Sequence, residues 1–130
     1  MRLLVCGDRH WSDYNLIFRK LEALKPDIVL QPLEPFVIIE GEARGADLMA
    51  RIAAYHVGAE VRAFPAQWNL YGKAAGPIRN ATMLHEGKPD LVLAFHDDIE
   101  HSKGTKDMLQ KAKAAGVPAV LVGHTGERSW

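Results

Sequence analysis

Three stretches of the chain set glycine beside charged or hydroxyl side chains where an apolar run gives way to a helical pattern. The first is Glu40-Gly41-Glu42-Ala43-Arg44-Gly45-Ala46-Asp47. Glycine permits close backbone approach, and a helix start offers unpaired N–H groups and a partial positive charge. Gly41, Arg44, Gly45 and Asp47 therefore frame a place for a phosphate. The same residues also read as a plain tight turn, with Asp47 at the favourable end of the helix dipole. The second stretch runs from Trp68 to Asn80 and is long for a loop in a chain of this size. Such loops tend to be functional or disordered, and its aromatic and basic content speaks against disorder. Trp68 or Tyr71 offers a ring to a base. Lys73 and Arg79 suit a phosphate, Arg79 through its bidentate fork, and Gly76 and Asn80 complete the set. The competing reading is a structural loop anchored by its aromatic residues. The third stretch is Ser102-Lys103-Gly104-Thr105-Lys106-Asp107. Gly104 and Thr105 can give N–H and hydroxyl groups to a phosphate or ribose, and Asp107 follows one turn in. It reads equally as an N-cap with a first-turn acid. Gly7-Asp8-Arg9 adds a rim: Arg9 meets an anion, or Asp8 pairs with Arg9 locally.

Other chemistry finds less support. His96, Asp97, Asp98 and His101 match no standard ligand spacing, so no metal is expected. His10, His56, His85 and His124 read as surface or helix-face residues. Cys6 is the single cysteine. It reads as packed at a strand end, and its solitude excludes an intrachain disulfide and suits a reducing, cytoplasmic compartment. The serines lack a nucleophile-elbow context.

The elements that must position these residues follow from the apolar pattern. Leu3 to Cys6, Phe36 to Glu40, Glu60 to Phe64, Leu91 to Phe95 and Ala119 to Val122 read as five short strands. Asp13 to Leu24, Ala46 to Val57, Ile78 to Glu86 and Lys103 to Ala115 read as helices. Ile28-Val29-Leu30 is crowded by Pro32 and Pro35 and reads as a connection or short edge segment. Residues 65–77 read as one long loop, and 123–130 as a loose tail. The alternation predicts a single α/β domain, Rossmann-like and three-layered, over residues 1–122, with a mostly parallel sheet of about five strands. In such sheets ligands bind beyond the carboxyl ends of the strands, where the strand order reverses. The glycine-bearing stretches sit at those ends.

Composition agrees with this. The chain has 130 residues, 48% of them hydrophobic and 25% charged, as in an ordinary globular domain. Lys and Arg together number 16, as do Asp and Glu. That balance lacks the basic excess usual for proteins that rely on duplex nucleic acid or an anionic membrane surface. No apolar run approaches the length of a transmembrane helix.

Taken in order, these stretches, together with Phe64-Pro65-Ala66-Gln67-Trp68, resemble the YspA branch of the SLOG superfamily, the YpsA-related Rossmann-like proteins. The resemblance runs from about residue 1 to about residue 122, and Ala75-Gly76-Pro77-Ile78-Arg79-Asn80 is its most specific part. The superfamily includes the LOG phosphoribohydrolases, which cleave the N-glycosidic bond of nucleoside 5′-monophosphates, and the DprA DNA-processing proteins. LOG enzymes pair an Arg-Lys at a helix start with a Pro-Gly-Gly-x-Gly-Thr-x-x-Glu run. Arg79-Asn80 resembles the former. Gly104-Thr105-Lys106-Asp107 resembles the latter, with Asp107 at, or one position before, the acid. Ser102-Lys103 departs from the glycine pair, Asp is shorter than Glu, and Glu42 stands where relatives carry a small residue. A carboxylate there repels a phosphate unless it turns away or meets a ribose hydroxyl.

The resemblance implies a small-molecule ligand of nucleotide type, no cofactor, and a homodimer. In a hydrolytic version Arg79 clamps the ligand and Asp107 stabilises an oxocarbenium-like transition state or orients water. The alternative from another class is a non-catalytic nucleotide-signal sensor or sequestering protein of a bacterial or phage conflict system. Single-stranded DNA handling, as in the DprA branch, is a third reading, against which the zero net charge counts.

Overall fold

The computed structural model describes residues 1–26 and 34–130. The apolar triplet Ile28-Val29-Leu30 lies outside the described residues. Six strands form one sheet: β1 (Arg2–Gly7), β2 (Val37–Glu40), β3 (Glu60–Ala63), β4 (Leu91–Phe95), β5 (Ala119–Gly123) and β6 (Gly126–Ser129). Their order is β3-β2-β1-β4-β5-β6. The first five run parallel, and β6 returns antiparallel along β5.

Helices α1 (Tyr14–Leu24) and α2 (Ala46–Val57) cover one face. Helices α4 (Ala75–Gly87) and α5 (Gly104–Ala114) cover the other, while α3 (Trp68–Tyr71) lies in the connection after β3. Crossovers of one hand that leave β1 in opposite directions must put their helices on opposite faces. The inner strands β1, β2, β4 and β5 are largely apolar because both of their faces are covered, whereas the edge strands β3 and β6 are mostly exposed. In β1, Leu3 and Val5 face α1 and α2, meeting Ile17, Leu21, Ala50 and Ala53. Leu4 and Cys6 face the other way, toward Met83 of α4 and Met108 and Leu109 of α5. Ala50, Ala53 and Ala54 are fully buried. Their small side chains let α2 sit close to the sheet.

Three local features differ from the sequence expectation. The loop expected over 65–77 holds α3 and a 3-10 turn at Gly72–Ala74, and α4 begins at Ala75. The mostly parallel sheet expected with about five strands has, among the described residues, a sixth. The segment expected as a loose tail carries β6, whose residues pair from Val120↔Ser129 to Gly123↔Gly126. Just before β6, His124 ties three connections together. Its Nδ1 lies 2.7 Å from Asp97, its Nε2 lies 2.9 Å from Asp13, and its ring stacks on Trp11. Asp13 also caps α1 by accepting from the Leu16 amide.

Candidate functional site

Strand order reverses between β1 and β4, and a cleft of about 790 Å3 opens at their carboxyl ends. Gly7 and Arg9 line it from the turn after β1, and Asp47 from the first turn of α2. Trp68 and Lys73 reach it from the connection after β3. Gly76, Arg79 and Asn80 line it from α4, and Gly104, Thr105 and Asp107 from α5. Gly41, Arg44 and Gly45 do not reach the wall. Gly45 packs instead under the first turn, in a left-handed conformation with φ of 74°. A Cβ there would stand 2.3 Å from the Asp8 carbonyl oxygen. Gly7 is equally tight, since a Cβ would meet the Phe95 carbonyl oxygen at 2.3 Å.

The turn that the sequence offers to a phosphate spends the amides of Gly41, Glu42, Ala43 and Ala46 internally. The Asp47 carboxylate accepts from Gly41 N at 3.0 Å and from Ala43 N at 3.3 Å. The Glu40 carboxylate accepts from Glu42 N at 2.5 Å, and the Asp8 carbonyl accepts from Ala46 N at 3.2 Å. An acid in the first helical turn has taken the place an anion would use. Burial pushes Asp47 up to about 6, against the pull of Arg79 and the two amides. Burial also raises Glu40, which is fully enclosed and held by Arg51 at 2.6 Å. Glu42 has φ of 59° and turns its carboxylate onto Arg51, so it is not on the cleft wall.

Arg79, Asn80 and Asp107 form a chain across the cleft. Arg79 donates Nη1 to the Gly41 carbonyl at 2.6 Å and Nε to Asn80 Oδ1 at 3.0 Å. Asn80 donates Nδ2 to the Gly104 carbonyl at 3.2 Å and to Asp107 Oδ2 at 3.0 Å. Lys111 donates to the other Asp107 oxygen at 2.5 Å. Asn80 is therefore a brace with both polar atoms engaged. At the head of α5, Ser102 Oγ accepts from Thr105 N at 3.1 Å. Among the described residues, nothing accepts from the Gly104 amide.

The cleft also holds residues that sequence reasoning did not assign to a ligand: His10, His96, His101 and Lys103. Their positions just past β1 and β4 were the available signal. Asp97, Asp98 and His101 are engaged with one another's neighbours: Asp98 pairs with His101, and Asp97 with His124. Cys6 lies at the cleft wall but is buried, and burial with Asp47 nearby pushes its thiol far up, so it holds no ready thiolate.

Similarity to known proteins agrees with this architecture. The chain is 33% identical over 129 residues to the Gene 61 protein of Mycobacterium phage D29, covering 94% of this chain and 96% of that protein. Its fold matches the X-ray structure of DNA processing protein A (DprA) from Streptococcus pneumoniae with a TM-score of 0.63 at 20% identity. That match covers 92% of this chain and 49% of the DprA chain, so the chain spans about half the length of that protein. Residues 1–71 match the family model of YspA, cpYpsA-related SLOG proteins. With more than half of its length matched by that model, the chain belongs to the YspA, cpYpsA-related SLOG family.

Proposed function

We infer that the cleft binds a nucleotide or a nucleotide-derived small molecule. One observation carries this reading: the cleft at the strand-order reversal is lined by Arg9, Lys73, Arg79 and Lys103 together with Gly104, whose amide at the start of α5 has no acceptor among the described residues. Four cations and an open helix start suit a phosphate. The volume lies within the roughly 300–1,000 Å3 of small-molecule pockets. The phosphate belongs at the Gly104 amide, since the Thr105 amide is given to Ser102, rather than at the Gly41–Gly45 turn, where Asp47 and Glu40 occupy the Gly41, Glu42 and Ala43 amides.

A second reading adds N-glycosidic hydrolysis. It is favoured by Asp107, whose carboxylate faces the cleft and is held by Asn80 and Lys111. The experiment is incubation with a panel of nucleoside 5′-monophosphates, followed for thermal shift and for free base. Binding raises the melting temperature, and Arg79→Ala removes the shift. Base release that disappears in Asp107→Asn supports hydrolysis. A shift with the nucleotide recovered intact leaves a sensor or sequestering protein, and no shift with any member of the panel rejects the nucleotide reading.

A further inference from the structure

The N-terminal half of α4 separates two cavities. Gly76, Asn80 and Met83, spaced four and three, line the cleft. Ala75, Arg79 and Thr82, at the same spacing one residue earlier, line a second recess of about 270 Å3. Its other walls include Phe64, just past β3, with Gln67 and Tyr71 from the following connection. Arg79 stands on the wall of both.

The two cavities differ in chemistry. The cleft is rich in cations. Among the described residues, the recess holds two aromatic rings, an amide and the hydroxyls of Tyr71 and Thr82, with Arg79 as its single cation. Its volume falls short of the roughly 300 Å3 at which pockets for whole ligands begin, which leaves room for one ring system. A base drawn out of water needs a surface for its faces and partners for its edge. Phe64 and Tyr71 supply the first. Gln67 supplies both a donor and an acceptor, the pairing an amide makes with a base edge. Trp68, the aromatic residue of the cleft, is 58% exposed and lies against Gly76. Lys73 lines the same cleft and suits a phosphate better than a base.

We propose that this recess is a base subsite: it takes a planar, neutral nitrogen heterocycle, the base end of a ligand whose phosphate and sugar occupy the cleft. Arg79 lines both cavities, its Nε and Nη1 held by Asn80 and Gly41. The proposal rests on the nucleotide reading above.

The test compares nucleoside 5′-monophosphates with ribose 5-phosphate, titrated by calorimetry into the full chain and into Gln67→Ala, Tyr71→Ala and Trp68→Ala. Tyr71→Ala should weaken the tightest monophosphate about tenfold, the scale of one lost stacking contact. It should leave ribose 5-phosphate within about twofold. Gln67→Ala should flatten the ranking among bases. Adenine alone, titrated into labelled protein, should shift the Gln67, Tyr71 and Thr82 resonances first. If the phosphates bind but Gln67→Ala and Tyr71→Ala treat them all alike, or the base-dependent loss falls on Trp68→Ala, the subsite is overturned and the cleft stands. If neither ribose 5-phosphate nor any monophosphate binds, the nucleotide reading falls and the subsite with it. Gln67 and Tyr71 are exposed, so their variants keep the fold, and the adenine shifts report on the recess without any substitution.

Discussion

At the scale of single residues, the cleft depends on groups that touch one another before they touch any ligand. Gly41 is the clearest case. A Cβ at this position would stand 2.3 Å from Arg79 Nη1 and 2.8 Å from its Cζ. The main obstruction is the far end of a flexible side chain, with the buried Asp47 Oδ2 a further 3.0 Å contact, so Gly41→Ala should cost about 1 kcal/mol in stability. It should nevertheless move the guanidinium and weaken ligand as much as Arg79→Ala does. Calorimetry beside urea unfolding separates the two effects, and wild-type affinity in Gly41→Ala would refute the placement. Asn80→Ala differs, because it strips partners from Arg79, Gly104 and Asp107 together. A loss of about 1–3 kcal/mol is expected, the cost of leaving buried polar groups unpaired. An unchanged urea midpoint would count against the brace. Much of this site was legible in the chain: Arg79, Asn80, Gly104, Thr105 and Asp107 were singled out by residue type and all reach one cleft. Their division of labour was not. Asn80 looks like a ligand contact until both its atoms are seen to be engaged, and Asp47 looks like a phosphate neighbour until its carboxylate is seen on the amides themselves. Hydrogen-bond partners 24 to 38 residues apart leave no local signature.

At the scale of elements, burial on both faces made the strands readable. Four of the five parallel strands are largely apolar runs sandwiched between helices, and such runs announce themselves, whereas β3 at the sheet edge is Glu60-Val61-Arg62-Ala63 and mostly exposed. β6 does not. Gly126-Glu127-Arg128-Ser129 is exposed at every position and has no apolar alternation to detect. It is held by its backbone ladder to β5, by Lys20 pairing with Glu127, and by Trp130, which packs on the core formed with α4 and α5. α3 was missed for a related reason: four residues with none buried give no helical period. β6 nonetheless matters to the sheet, since it covers the edge of β5, where Leu121 and Val122 are buried. Deleting residues 125–130 should expose that edge and the apolar surface under Trp130. The expected loss is about 2 kcal/mol or more, the scale of exposing one large apolar side chain. A deletion variant that melts with the full chain would show the last strand to be dispensable.

At the scale of the whole molecule, titration ties the site to stability. Asp47 sits near 6 in the folded chain against an ordinary 3.8, because burial penalises its charge. The folded state therefore keeps a proton that the unfolded state has released. Between those two values stability falls as pH rises, by about 1.4 kcal/mol per pH unit. Glu40 is shifted the same way by its own burial. His124 adds to the trend from the opposite charge type. Asp97 and Asp13 raise its pKa, so its contribution is full below the unfolded value of 6.5 and is lost as pH rises through the folded one. Asp13 and Asp97 oppose the trend at the acid end. Their hydrogen bonds to His124 and to backbone amides lower their pKa, and the stability they add disappears as pH falls through those lowered values. Together these shifts move the stability maximum toward the acid side of neutrality. Urea midpoints should fall from pH 5 to pH 7.5 in the wild type. The fall should shrink in Asp47→Asn, which cannot ionise, and should shrink separately in His124→Gln. A wild-type midpoint that rises over this interval, or a slope unchanged in Asp47→Asn, would mean that the buried carboxylate does not govern it. The same substitution links stability to function, because an ionised Asp47 places a negative charge on the wall of a cleft whose cations are suited to an anion. Anionic ligands should bind the wild type more tightly at pH 5.5 than at pH 7.5, and Asp47→Asn should shrink that difference, leaving the share due to His101 on the same cleft, whose pKa Asp98 raises.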